Sequence, residues 1–175
     1  CHGQFHPAKV GQFTRLIQEV ANKIAKIIGE EYVDVHSIGK VSNADLEMYD
    51  HLIFGTSTWY DGELQSEWED FLPNLDEIDF SGKTVALFGL GDQLTYGEYF
   101  IDGVGIIYDK IIERGAKVVG HWPIDDYDFE ESVAEREGNF VGLALDDDNE
   151  YQKTDGRIKK WADQLSTAFR FTVSI

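Results

Sequence analysis

The chain has 175 residues, of which 33 are acidic and 15 are basic, so its formal net charge at pH 7 is -18. This length predicts one domain over residues 1–175, and the hydrophobic content of 42% is ordinary for a globular core. Such a negative charge repels phosphates and argues against nucleic acid as a direct partner, while it favours basic protein surfaces. The apolar runs are too short to span a bilayer, and a single cysteine excludes an intrachain disulfide.

Helical and strand patterns alternate along the chain. Apolar residues at helical spacing predict a first helix from about Leu16 to Ile28, which Gly29 ends. The predicted elements that follow are a strand over 32–36, a helix over 42–48, a strand over 51–56, a helix over 65–72, a strand over 83–89, a helix over 98–114, strands over 116–122 and 140–145, and a helix from 153 to about 169. Short continuous apolar strands are typical of a parallel sheet that is covered on both faces.

Two loops at predicted strand ends carry an aromatic residue together with glycines. Trp59 lies in the loop that follows the strand over 51–56, and Tyr96 lies in the loop that follows the strand over 83–89. Open α/β sheets bind ligands at the carboxyl ends of their strands. Because an aromatic ring can stack on a planar heterocycle, these loops predict a site for a flat cofactor.

The other candidate residues favour structural roles. Trp68 and Trp161 fall on the apolar sides of predicted helices, which indicates core positions. The five histidines have no metal-ligand spacing, so we predict no metal site from them. The aspartates at 125–126 and 146–148 are more typical of solvated turns than of a cation site.

Several motifs from Tyr32 onward occur in the order of one protein family. The most informative are Thr58-Trp59-x-x-Gly62-Glu63-Leu64, Phe88-Gly89-x-Gly91-Asp92-Gln93-x-x-Tyr96 and Phe140-Val141-Gly142-Leu143-Ala144-Leu145. In this order and spacing the chain resembles a long-chain flavodoxin. The resemblance implies an α/β, doubly wound, flavodoxin-like fold of three layers, whose five-stranded parallel sheet has the order 2-1-3-4-5. Residues 123–139 would be the long-chain insertion that splits the last strand.

The resemblance also implies non-covalently bound FMN. Trp59 and Tyr96 would flank the isoalloxazine ring, and the Tyr60–Asp61 peptide would lie near flavin N5, where the family reorients a backbone group on reduction. Residues 56–58 would reach the phosphate and ribitol, and residues 91–92 would contact the pyrimidine edge of the ring. The predicted cofactor-binding residues are Thr56, Ser57, Thr58, Trp59, Tyr60, Asp61, Gly62, Leu90, Gly91, Asp92, Tyr96 and Tyr99.

The amino end departs from the family pattern, which begins with an apolar strand and a hydroxyl-rich loop that holds the phosphate. Residues 8–11 could begin that strand, in which case most of the loop is missing. Alternatively residues 11–15 replace the loop, and residues 1–10 supply the strand. Thr14 and Arg15 could donate to a phosphate, although a helix cap and a solvated side chain are the favoured interpretation. Either register predicts weakened FMN binding and reduced discrimination against riboflavin.

The resemblance implies a cytoplasmic, monomeric, low-potential electron carrier without a membrane partner. Its partners would be redox proteins with basic docking surfaces, such as a ferredoxin–NADP reductase. No residue need act as acid, base or nucleophile, so we predict an electron carrier rather than an enzyme. Two other functions stay open at this point: a flavin-free acidic protein-binding module, and a small FMN-dependent reductase.

Overall fold

A computed structural model describes residues 7–59 and 61–169, with side chains for 15–58 and 61–169. The helices are α1 Pro7–Ile28, α2 Asn43–Glu47, α3 Ser66–Leu75, α4 Asp102–Glu113 and α5 Asp147–Ala168. The strands are β1 His51–Trp59, β2 Glu63–Leu64, β3 Thr84–Leu90, β4 Lys117–Val119, β5 Trp122–Pro123, β6 Glu135–Arg136, β7 Asn139–Phe140 and β8 Leu143–Leu145. Short 3-10 turns cover Glu30–Tyr32, Ile38–Lys40 and Gly97–Tyr99. No helix in these ranges is long and apolar enough to cross a membrane.

The main sheet is built on the parallel pair of β1 and β3. Their register runs from His51 opposite Thr84 to Ser57 opposite Leu90. On the other side of β3, β4 pairs with residues 84–86 and β8 pairs with residues 88–90, both in parallel. The last strand is therefore split into two pieces, as predicted, and β5, β7 and β6 form a separate antiparallel sheet within the intervening segment.

Helices cover both faces of this sheet, which confirms the predicted α/β class. On one face α1 packs on α5 and β1, and α5 packs on β8. On the other face α4 packs on β1 and β3, and α3 packs on α4. The predicted core tryptophans are confirmed, because Trp68 and Trp161 are buried and their indole N–H groups donate to the carbonyls of Gly55 and Gly120, both at 2.8 Å.

The first helix begins earlier than the sequence predicts. Residues 8–11, where a strand was expected, lie inside α1, which starts at Pro7. Proline suits a first helical position, since its fixed φ matches the helix and its missing N–H would have no partner there. The expected helix cap at Thr14 is therefore wrong, because that residue is two turns inside the helix. The alternative strand over residues 1–10 falls partly on residues 1–6, which lie outside the described residues.

The predicted strand over 32–36 is not formed either. A 3-10 turn occupies Glu30–Tyr32, and Val33 is extended (φ -126, ψ 122), but residues 33–37 join no ladder of the described chain. A strand needs a neighbour to accept and donate its backbone hydrogen bonds. With residues 8–11 helical, the described residues contain no neighbour for this strand. In the described residues the order is thus β2-β1-β3-β4, with β8 also on β3, rather than 2-1-3-4-5.

The ladder between β1 and β3 depends on a glycine opposite an aromatic ring. A Cβ at Gly55 would lie 2.0 Å from Cζ of Phe88, whose ring packs edge-on against Trp161. Both aromatic side chains are buried in the core. Only a residue without a side chain therefore fits opposite Phe88.

Gly55→Ala should lower the free energy of unfolding by about 1–3 kcal/mol, because overpacking a filled core forces side chains off their rotamers. Urea unfolding monitored by circular dichroism measures the change. Gly156→Ala is the matched control, since this exposed glycine of α5 has nothing within 4 Å of an added Cβ. The control should be stabilising by up to about 1 kcal/mol through helix propensity. Equal stability of Gly55→Ala and the wild type would contradict the packing argument.

Candidate functional site

The β1–β3 register brings the two predicted cofactor loops to one edge of the sheet. Ser57 and Leu90 are paired at the carboxyl ends of these parallel strands, so the loops that follow them start side by side. The first loop is a tight hairpin, because Thr58 and Trp59 pair antiparallel with Leu64 and Glu63. The side chain of Trp59 and the whole of Tyr60 lie outside the described residues, so their predicted flavin contacts stay predictions.

Tyr99 and Gly62 bring the two loops into contact. Gly62 has φ +87, and a Cβ there would lie 3.3 Å from Cδ1 of Tyr99 and 2.9 Å from Oδ2 of Asp102. Glycine meets both demands, since it adopts positive φ without strain and leaves room for the neighbouring side chains. Tyr99 is half-buried, whereas Asp61 is exposed at the tip of the hairpin.

The three predicted hydroxyl groups of β1 have different surroundings. Thr58 Oγ1 accepts a hydrogen bond from the N–H of Gly103 at 2.9 Å. Thr56 is 1% exposed, and its hydroxyl donates to the carbonyl of Ser57 at 3.2 Å. The Ser57 side chain is fully buried, and its Oγ has no hydrogen-bond partner among the described residues. Their predicted contacts with phosphate and ribitol stay predictions.

The bond from Gly103 to Thr58 caps α4 from outside the helix. The cap position of α4 is held by Ile101, in the left-handed conformation (φ 47, ψ 32), and its apolar side chain offers no acceptor. The amides of a first helical turn have no partner inside the helix, so Thr58 supplies one from the neighbouring strand. The sequence alone does not reveal this role, because the two residues are 45 positions apart.

Asp92 organises the second loop through its carboxylate. Oδ1 accepts hydrogen bonds from the N–H groups of Leu94 and Thr95, at 3.1 and 2.8 Å, and from Nδ2 of Asn149 at 2.8 Å. Partial burial acts to raise the pKa of Asp92, but the hydrogen bonds from Thr95, Asn149 and Leu94 outweigh it and hold this pKa below its ordinary value. The loop therefore carries an ionised carboxylate at neutral pH.

The remaining predicted residues of the second loop line its start and its far end. Leu90 is buried, and Gly91 donates its N–H to the carbonyl of Leu145 at 3.0 Å. Tyr96 is half-buried at the far end of the loop. Thr95 does not adopt positive φ, so its β-branched side chain causes no backbone strain in the loop.

Asp102 is a buried acid beside both loops that the sequence analysis missed. Its Oδ1 accepts from the N–H of Val133 at 2.9 Å. Burial raises the pKa of Asp102 above its ordinary value; the Val133 hydrogen bond opposes this shift, and the nearby Glu131 carboxylate adds to it. An Asp in the first turn of α4 gives no sequence signal of burial, because such positions usually face solvent.

The candidate cation sites are structural. Asp146 is buried and caps α5 by accepting from the N–H of Asn149 at 3.0 Å, so it is not the solvated turn residue that was predicted. Asp126 pairs instead with Lys153 and Arg157. In the part of the chain that the structure describes, no group of three or more His, Cys, Asp or Glu side chains could hold a metal ion.

The fold has three layers, a mainly parallel sheet with helices on both faces, and two loops with aromatic residues lie at the carboxyl edge of the sheet. These features define a flavodoxin-like protein. The sequence model of the flavodoxin family matches residues 16–161. The chain is 50% identical over 157 residues to flavodoxin 1 of Escherichia coli K12, with 89% of both chains covered. It is 47% identical over 165 residues to a flavodoxin of Nostoc sp. PCC 7120, with 92% of this chain and 97% of the relative covered.

A solved structure supports the same assignment. The crystal structure of Fusobacterium nucleatum flavodoxin bound to flavin mononucleotide superposes with a TM-score of 0.84, at 33% identity, and covers 90% of this chain and 93% of that one. The chain therefore belongs to the flavodoxin family. The first 15 residues, where the amino end departs from the family pattern, lie outside the family match.

Thr58→Val should lower the free energy of unfolding by about 1–3 kcal/mol, because the buried N–H of Gly103 would lose its acceptor. Thr58→Ser is the control, since it keeps the hydroxyl oxygen that accepts this bond. Urea unfolding of the three proteins measures the difference. A Val variant as stable as the Ser variant would show that Thr58 does not cap α4.

Asp102→Asn should stabilise the fold at pH 7. Because burial raises the folded-state pKa above the unfolded one, the ionised Asp102 carboxylate destabilises the fold above that folded pKa. The penalty disappears as the pH falls towards 3.8, the ordinary value, where the group is protonated in the folded chain. Asparagine keeps an oxygen for the Val133 N–H, so the advantage of the variant should shrink with falling pH.

Urea unfolding across this pH range compares Asp102→Asn with the wild type. Asp70→Asn, at an exposed position of α3, controls for the loss of one negative charge. An advantage of Asp102→Asn that stays constant with pH would contradict a raised pKa of this carboxyl group.

Proposed function

We propose that this flavodoxin carries single electrons between redox proteins on non-covalently bound FMN, held between the loops that follow β1 and β3. The observation that carries the proposal is the in-register pairing of these strands, which starts both loops at one sheet edge and places Tyr99 against Gly62. Ligands of open α/β sheets bind at this edge. The similar protein of F. nucleatum is bound to flavin mononucleotide, which supports the same cofactor here.

The side chains at this edge suit a polar, planar ligand. The fully buried Ser57 hydroxyl has no hydrogen-bond partner among the described residues, and a buried hydroxyl is costly until it finds one. An acceptor of the ligand would reach this hydroxyl only after a movement of the loop, since no part of the side chain is exposed. Trp59 and Tyr96 supply the aromatic rings in the two loops, and Gly62 and Gly91 allow close approach of the backbone.

FMN supplies the electron-carrying chemistry when it is bound, and the protein tunes it. The chain carries a net charge of -18, and Asp92 is held ionised in the second loop. A negative surrounding disfavours added negative charge on an enclosed ligand. We therefore infer that the protein lowers the potential of the last reduction step, which suits a low-potential carrier.

The same charge favours partners with basic docking surfaces, such as a ferredoxin–NADP reductase or another low-potential oxidoreductase. We propose that the chain acts as a monomer in the cytoplasm. No described residue is required as a nucleophile or a proton donor, which fits an electron carrier rather than an enzyme. Neither alternative, a flavin-free binding module or an FMN-dependent reductase, gains support from a specific feature of the site.

We expect this chain to bind FMN less tightly than relatives that carry the hydroxyl-rich phosphate loop. The difference should arise at the phosphate end of the site. Arg15 lies inside α1, exposed to solvent and 4.0 Å from Glu19 on the same helix, instead of in a loop at a strand end. A hydrogen bond to a charged phosphate contributes about 1.5–3 kcal/mol, which is at least tenfold in affinity. Without such bonds, FMN and riboflavin should bind with dissociation constants that differ by less than about tenfold.

Fluorescence titration of the flavin-free protein with FMN and with riboflavin measures the two constants. A large preference for FMN would show that another part of the chain holds the phosphate.

A visible spectrum, recorded after adding excess FMN and desalting, tests the function itself. Wild-type protein should keep the flavin bands, Trp59→Ala should lose them, and Tyr151→Ala, at an exposed site on α5, should keep them. A colourless wild-type protein would contradict the proposed function.

A further inference from the structure

Arg157 is a buried cation at the junction of α5 and the segment that splits the last strand. Its side chain is 6% exposed. Nη2 donates to Oδ2 of Asp126 at 3.0 Å and to Oε1 of Glu150 at 3.2 Å, and Cζ lies 4.3 Å from the centre of the Tyr127 ring. The guanidinium therefore joins two carboxylates and an aromatic face in one place.

Glu150 links Arg157 to the second cofactor loop. The Oε1 atom that accepts from Arg157 also accepts from Nε2 of Gln93. Gln93 is 3% exposed, and its Oε1 accepts from the N–H of Asp128 at 2.6 Å. One buried amide thus connects α5, the 124–131 segment and the loop that starts at residue 91. Gln93 directly follows Asp92, which is one of the predicted flavin contacts.

The surrounding backbone supports this arrangement. Helix α5 is interrupted at Glu150, which has non-helical angles (φ -133, ψ 39), and this is the residue that reaches Gln93. The Tyr127 ring beneath Arg157 is held by its hydroxyl, which donates to the carbonyl of Ala144 at 2.6 Å and accepts from the Trp122 indole at 2.7 Å. The Tyr127 ring is therefore held by groups other than the guanidinium, whereas the Glu150 side chain depends on Arg157 as well as on its own backbone.

We propose that Arg157 is a positioning residue for the second flavin loop. It holds Glu150 and the 126–127 segment together, these hold Gln93, and Gln93 sets the position of residues 91–96 against the flavin ring. The part of this proposal that concerns flavin rests on the proposed function. None of these contacts touches the flavin itself, so the effect of Arg157 is transmitted through protein groups.

Removing the guanidinium would leave Glu150, 16% exposed, without its arginine partner. Breaking a buried ion pair from one side is unfavourable, and here the carboxylate would keep Lys153 as its only cationic partner among the described residues. The Glu150 side chain would then move towards solvent or towards Lys153, whose Nζ lies 2.6 Å from its other oxygen, Oε2. Either movement breaks its bond to Gln93 and loosens the second loop, which then keeps its bonds to Asp146 and Asn149.

Hydrogen exchange on the flavin-free chain tests the positioning step. Arg157→Met should raise the exchange rates of amides 93–97 by about tenfold, while β3 amides 85–88 keep the wild-type rates, because only the loop loses one of its anchors. Lys159→Met is the control, since it removes one positive charge from an exposed position two residues away on the same helix. Loop protection that is unchanged in Arg157→Met would overturn the proposal, whether or not flavin binds.

Flavin binding tests the consequence. Arg157→Met should weaken FMN binding by about tenfold, and Lys159→Met should leave it unchanged. Arg157→Lys should restore part of the affinity, because an ammonium can pair with Glu150 but lacks the fork of the guanidinium. This milder variant also keeps the test open should Arg157→Met fold poorly.

A double-mutant cycle identifies the route. If Arg157 acts through Gln93, the variant that combines Arg157→Met with Gln93→Leu should bind FMN no more weakly than Gln93→Leu alone. Additive losses would overturn this route, since a general loss of stability makes the two effects independent. Wild-type protein that fails to retain FMN would contradict the proposed function, and the exchange measurement would still decide the positioning role.

Discussion

The parallel pairing of β1 with β3 is the interaction on which the rest of the structure depends. It fixes which residues end opposite each other, and so it sets the start of both cofactor loops. It also places Gly55 against Phe88, where the ring fills the space of a missing side chain and contacts Trp161 of α5. A shift of the β1–β3 register by one residue would turn every side chain of β1 to the other face of the sheet. The two loops would then no longer start opposite each other, and Gly55 would no longer face the Phe88 ring.

Local patterns predicted the helices and the central strands well because those elements carry their own signals. The capping box at Ser42 and Asp45 and the apolar run of β3 are examples. The strands expected at 8–11 and 32–36 failed for a different reason. A strand is stable only beside a partner, and because the chain around Pro7 continues as helix, the described residues offer no partner to the extended residues after Tyr32.

In the candidate site, too, the parts with a local sequence signal were predicted and the long-range contacts were not. The aromatic loops were visible in the sequence because residue types and neighbouring glycines identify them. The groups that hold these loops were not visible, since Thr58 caps a helix 45 residues away and Gln93 meets Glu150 across 57 residues. Hydrogen bonds of this kind depend on where side chains lie in space, and periodicity contains no information about them. The departure of the amino end from the family pattern, by contrast, was evident in the sequence.

Because the last strand is in two pieces, we expect these pieces to join β3 at different stages of folding. Lys117 meets Thr84 across 33 residues, whereas Leu143 meets Phe88 across 55, with a separate antiparallel sheet between the two pieces. Closing the shorter loop costs less chain entropy, so we expect β4 to join β3 first during folding. The carboxyl half of β3 is completed only when β8 and α5 dock. The edge that holds the second cofactor loop is therefore the last part of the sheet to form.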